Sequence, residues 1–123
     1  MTDLAEIIQR LDVGPRMSMG VRYKDTVYFA ATPQAPYDAN LSAGEQCKQL
    51  LQKAQGRLDA LGSSRSKLLF TAIILADMRY FDEVNEVWDG WIDHAAPPAR
   101  ACFQAGLTQP SLKLEMIMIA ATD

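Results

Sequence analysis

Three observations predict an α+β domain built as one sheet with two helices on a single face. Segments rich in β-formers and segments of helical periodicity follow one another in the order β-β-α-β-α-β-β, which contains two strand–helix–strand units. Each helical segment carries one apolar stripe and so has one face to bury. The strands carry apolar residues on both faces, more than two helices on one side would cover, which points to further burial against other copies of the chain. With 123 residues, 49% of them hydrophobic and 22% charged, residues 1–123 read as one domain with a single core.

In chain order, Leu4, Ile7, Ile8 and Leu11 recur at helical spacing within Met1 to Asp12, with Asp3 available as a cap. Arg16 to Tyr23 and Thr26 to Thr32 read as a hairpin joined by Lys24-Asp25, with Val27 and Phe29 facing away from Tyr28 and Ala30. Pro33 to Leu41 is a loop. Ser42 and Glu45 form a capping-box pattern that opens a helix ending at Gly62. Cys47, Leu50, Leu51, Ala54, Leu58 and Leu61 are its buried stripe, which makes Cys47 a packed core thiol.

Ser63 to Ser66 is a polar turn. Lys67 to Leu75 is apolar on both faces, Leu68, Phe70 and Ile74 against Leu69, Ile73 and Leu75, as suits a central strand. Asp77 is positioned to cap a second helix running through about Trp91, with Tyr80, Phe81, Val84, Trp88 and Trp91 as its stripe. Asn85 falls inside that stripe, and a buried amide must find hydrogen bonds. His94 lies beyond the helix, solvated, and is given no role.

Pro97 to Ala121 reads as a second hairpin: Pro97-Pro98 starts it, Gly106 to Pro110 turns it, and β-formers fill both arms. Alternation puts Arg100, Cys102 and Gln104 on one face of the first arm, opposite Ala99, Ala101 and Phe103. On the return arm Lys113, Glu115, Ile117 and Ile119 oppose Leu114, Met116 and Met118. Arg100 and Glu115 are costly to bury without a partner or a ligand. A structural Arg100–Glu115 pair across adjacent arms and a ligand-binding role both answer that cost.

Composition narrows the function. A net charge of -3 offers no basic stripe for phosphates, and no apolar run is long enough to span a bilayer. The polar N-terminus lacks a signal-peptide core, so a cytoplasmic location with reduced thiols is expected. Cys47, Cys102 and the single His94 lack metal-ligand spacing, and no cofactor is expected. There is no Ser–His–Asp set and no phosphate-binding glycine loop. A guanidinium, a carboxylate, an amide and a thiol remain, all expected on or beside one sheet face. Arginine binds a carboxylate bidentately, so the expected ligand is a small acid.

The stretch PPARACFQAGL followed by KLEMIMIAA resembles the C-terminal signature of the Rid (YjgF) family, the reactive-intermediate imine/enamine deaminases. From Leu75 onward the chain is similar to the branch that carries a W-D-x-W helix before the arginine strand. The likeness runs from about Gly14 to the C-terminus and is most specific at Asn85, Arg100, Cys102 and Glu115. It implies that Ile7 to Leu11 is a short edge strand. It also implies the chorismate-mutase-like fold, as a homotrimer whose sheets surround a central barrel, with a ligand cleft at each subunit boundary.

The resemblance further implies hydrolysis of 2-imino acids and their enamine tautomers, such as 2-aminoacrylate, to 2-keto acids and ammonia. Arg100 would then anchor the substrate carboxylate. Glu115 would position water or assist proton transfer, the backbone near Cys102 would meet the imine end, and Asn85 would support the wall. Ala30 and Met17 fall at further substrate-binding positions. Where the family often shows GPRMS and then V-Y-x-[AS]-G-Q, this chain has GPRMSM and VYFAATP. Ala31 and Thr32 replace the usual Gly and Gln, Ala30 replaces a ligand-facing Ser, and Arg16 or Met17 stands at a pocket Tyr. These departures bear on substrate identity, and they sustain an alternative: a non-catalytic trimer that binds a carboxylate metabolite or a protein in the same cleft. RNA cleavage, attached to some members, is disfavoured by the acidic balance.

Overall fold

The computed structural model describes residues 7–122. It is one six-stranded mixed sheet with both helices on one face. The strands are β1 (Ile8–Val13), β2 (Ser18–Tyr23), β3 (Thr26–Ala31), β4 (Leu68–Leu75), β5 (Ala99–Gln104) and β6 (Leu114–Ala121), and the helices are α1 (Ala43–Ala60) and α2 (Phe81–Trp91). Across the sheet the order is β1-β2-β3-β6-β4-β5, and the β4–β5 pair is parallel while the others are antiparallel. The edge strand implied over Ile7 to Leu11 is present as β1. The helical spacing read there fails over Ile8–Val13, and its Leu4 and Asp3 lie outside the described residues.

The core lies between the helices and one sheet face. Val27, Phe29 and Ala31 of β3, Leu114, Met116, Met118 and Ala120 of β6, and Ile73 and Leu75 of β4 meet Cys47, Leu50, Leu51, Ala54 and Leu58 of α1 and Val84 and Trp88 of α2. Ser42 caps α1 by accepting from the Glu45 amide at 3.1 Å. Gly62, at φ +80, ends it: the Ser63 amide returns to the Leu58 carbonyl at 2.8 Å. A side chain at Gly62 would also strike the Arg22 guanidinium.

Three expectations need correction. Residues 97–121 do not form a hairpin. The unit β4–α2–β5 returns parallel, so β5 pairs with β4 at the sheet edge, and β6 inserts between β3 and β4. The 105–113 connection is longer than the roughly two to five residues of a hairpin loop, so its length permits this hop over β4. Second, β4 carries a register shift between Leu68 and Phe70, so Leu68 joins the core while Leu69 is 51% exposed. Third, Asp77 caps a single 3₁₀ turn, Met78–Tyr80, through the Arg79 amide, and α2 begins only at Phe81, which lies outside the buried stripe.

The other sheet face has no covering layer within the chain. Tyr28, Phe103 and Ile117 lie on it and are 44%, 47% and 41% exposed. Ala30, Phe70, Ile74, Ala101, Glu115 and Ile119 share it by alternation. No helix among the described residues is long and apolar enough to cross a membrane.

Candidate functional site

Arg100, Cys102 and Gln104 project from β5 toward the helices, as strand alternation predicts. Arg100 pairs in register with Thr71 and Cys102 with Ile73, both on the core face. The Arg100 guanidinium donates through Nη2 to Asn85 Oδ1 and sits 5.6 Å from the Trp88 ring centroid. Asn85 and Trp88 are three residues apart on α2, so one helix turn supplies both supports. Gln104 Oε1 accepts from the Met78 amide at 2.8 Å and ties the start of the α2 segment to the same strand.

Burial pushes the Cys102 thiol above its ordinary range, and the Arg100 charge only partly offsets this. The half-buried sulfur is therefore held as the protonated thiol near neutral pH, which disfavours a thiolate nucleophile. Cys47 is fully buried in the core, its pKa pushed up to about 12 by burial alone. That accords with a packed thiol.

Glu115 is elsewhere. It pairs with Ile74, whereas Arg100 pairs with Thr71, and these two β4 residues point to opposite faces. With β4 between them, Arg100 and Glu115 form no internal pair, and the expectation that both sit on one sheet face is overturned. The cause is the insertion of β6 on the far side of β4. Asn85, not Glu115, is the partner of Arg100.

Ala30 does share a face with Glu115. It pairs with Ile117, two residues further along β6, which makes the two diagonal neighbours about 7 Å apart. Met17 precedes β2 and is 51% exposed. From β3 to β5 there are three strand steps, about 14 Å. The candidate residues therefore fall into an edge half (Arg100, Asn85, Cys102) and an open-face half (Ala30, Glu115), which one chain does not bring together.

One supporting residue escaped the sequence reading. Gln46 is fully buried beside the apolar stripe of α1. Its Nε2 donates to the Asp38 and Ser111 carbonyls at 3.0 and 2.9 Å, and its Oε1 accepts from the Lys113 amide at 2.9 Å. It ties the β3–α1 loop, through Asp38, to the β5–β6 loop that leads to Glu115. Its position one residue before Cys47 on the stripe was the available signal. A groove of about 730 Å³ between α1 and α2, floored by Leu51, Val87 and Trp91, contains none of the candidate residues. That is the expected result if the site closes only between chains.

The sequence model of the family described as "Endoribonuclease L-PSP" matches residues 7–122. A "RutC family protein" from Haemophilus influenzae is 37% identical over 114 residues, 92% of this chain and 97% of the relative. A crystal structure of a YjgF family member from Neisseria meningitidis superposes with a TM-score of 0.87 at 29% identity, covering 94% of this chain and 95% of that one. The "2-iminobutanoate/2-iminopropanoate deaminase" of Mus musculus is 30% identical over 112 residues, 88% of this chain and 82% of that protein. With the family model, the sequence of a relative and the fold in agreement along the described chain, this protein belongs to the Rid (YjgF) family.

Proposed function

We propose that the protein is a cytosolic deaminase that hydrolyses small 2-imino acids and their enamine tautomers in clefts between subunits of a homotrimer. The observation that carries this reading is the division of the candidate residues into an edge half and an open-face half. Docking the β5 edge of one copy against the open face of another covers Phe103, Ile117 and Tyr28 and brings the halves together. Asn85 takes one edge of the Arg100 fork, and the remaining donors meet the substrate carboxylate bidentately. Met17 and Ala30 line the cleft beside the substrate.

The chemistry asked of the site is modest. Water adds its oxygen to C2 of the imine while a proton goes to the nitrogen, and the resulting carbinolamine expels ammonia to leave the 2-keto acid. Glu115 on the open face takes the proton from water and returns it to the departing nitrogen. The Cys102 backbone borders the imine end, and its protonated thiol contributes bulk. The name of the mouse relative fits this substrate class. The net charge of -3 disfavours a nucleic-acid substrate.

Ala30, Ala31 and Thr32 favour the second reading, a trimer that binds a carboxylate without turning it over, because Ala30 offers no hydroxyl to a ligand. A coupled assay separates the two. A PLP-dependent dehydratase acting on serine releases 2-aminoacrylate, and the protein is expected to accelerate ammonia release above the spontaneous rate. An unchanged rate together with bound 2-keto acid would favour the binder.

A further inference from the structure

Two cations meet at the C-terminal end of β3 with no acid bonded to either among the described residues. Lys53 and Arg57 are one turn apart on α1 and share a helix face. Lys53 Nζ donates to Thr32 Oγ1 at 3.4 Å and to the Pro33 carbonyl at 3.2 Å. The Tyr37 hydroxyl reaches the same Thr32 Oγ1 at 3.1 Å. Arg57 donates through Nη1 to the Ala30 carbonyl, and its Nη2 lies 3.5 Å from Met19 Sδ. The β2–β3 ladder stops at Val21 and Tyr28, so Arg57 serves a carbonyl that β2 does not reach.

Stability alone does not account for this pair. Both side chains are half-buried, and among the described residues neither forms an ion pair with an acid. Like charges one turn apart repel. Burial first, then Arg57, lowers the Lys53 pKa, and burial lowers that of Arg57, with Asp12 and Tyr37 acting on Arg57 only as opposing fields. A neutral amide would satisfy the same carbonyls without that penalty. The ammonium and guanidinium also retain donors beyond those used here.

The pair borders the open-face half of the site. Arg57 holds the carbonyl of Ala30 itself, and Thr32 follows Ala31, whose register partner Met116 adjoins Glu115. We propose that Lys53 and Arg57, with the Tyr37 hydroxyl, form a second anion site that takes the distal carboxylate of a substrate, so that the protein prefers dicarboxylic 2-imino acids. This rests on the deaminase reading. Arg100 of one copy holds the carboxylate next to the reacting carbon, and the Lys53–Arg57 pair of the copy supplying Ala30 and Glu115 holds the distal one.

Calorimetric binding of two stable 2-keto acids, 2-oxoglutarate and 2-oxobutanoate, to the intact protein tests it. Wild type is expected to bind 2-oxoglutarate about tenfold or more tightly than 2-oxobutanoate, as a charge-assisted bond warrants. Lys53→Met should bring the two affinities close to parity, while Lys48→Met, the same charge change on the same helix, should keep the preference. Arg57→Met strips the Ala30 carbonyl of its partner, so Lys53→Met is the deciding variant. Equal wild-type affinities, a preference that survives Lys53→Met, or one lost equally in Lys48→Met would overturn the second site and leave the deaminase reading intact. Binding of neither keto acid would overturn both.

Discussion

Arg100 gives one edge of its guanidinium to Asn85 and lies over Trp88, so α2 orients the arginine that β5 carries. Replacing Asn85 with Leu keeps approximate volume but leaves a half-buried guanidinium without its acceptor, and should cost roughly 1–3 kcal/mol in chemical denaturation. Combined with Arg100→Met, the two losses should fall short of additivity by about 0.5 kcal/mol or more. Arg100→Lys keeps the charge and loses the fork, and should lower turnover of 2-aminoacrylate by about a hundredfold in a folded protein. Wild-type turnover by that variant would remove Arg100 as carboxylate anchor.

The uncovered sheet face makes a separate prediction about assembly. Wild type should sediment as a trimer at micromolar concentration. Ile117 is 41% exposed in the single chain, so Ile117→Lys should leave the monomer folded while placing a charge in the contact between copies. The variant is expected to sediment as a monomer and to lose activity, because the two halves of the site separate. A wild-type protein that runs as a stable monomer would contradict the shared cleft.

Acid should loosen the contact between the helices. Glu83 of α2 accepts from the Gly44 amide in the first turn of α1 at 2.6 Å, and a side chain at Gly44 would collide with it. That backbone bond, then Ser42, holds the Glu83 carboxyl below its ordinary 4.5. A depressed carboxyl pKa contributes stability that is complete above the unfolded value and lost as pH falls through the folded one. The melting-temperature advantage of wild type over Glu83→Gln should therefore be largest near neutral pH and disappear in acid below 4.5. An advantage that does not change with pH would show that shape, not charge, matters there.

Much of this protein was legible because much of it is local. The Ser42 cap, the α1 stripe, the stop at Gly62 and the β2–β3 hairpin each depend on residues a few positions apart, and each stands where periodicity and turn chemistry place it. Alternation also assigned faces correctly within a strand: Arg100 with Cys102 and Gln104, and Glu115 with Ile117 opposite Leu114, Met116 and Met118.

What the chain alone left open was which strands are neighbours. Alternation relates residues along one strand and says nothing about the partner. The turn signals at Gly106 to Pro110 are the same whether β6 folds back on β5 or passes over it to lie between β3 and β4. Pairing of β6 along both edges, burial of its Leu114, Met116, Met118 and Ala120 face, and a loop whose closure entropy rises slowly with length favour the second arrangement. That one decision sent Glu115 to the face opposite Arg100, gave Arg100 to Asn85, and divided the site between two surfaces. Local patterns and the family signature singled out the candidate residues; only the tertiary packing decided that a single chain holds them apart.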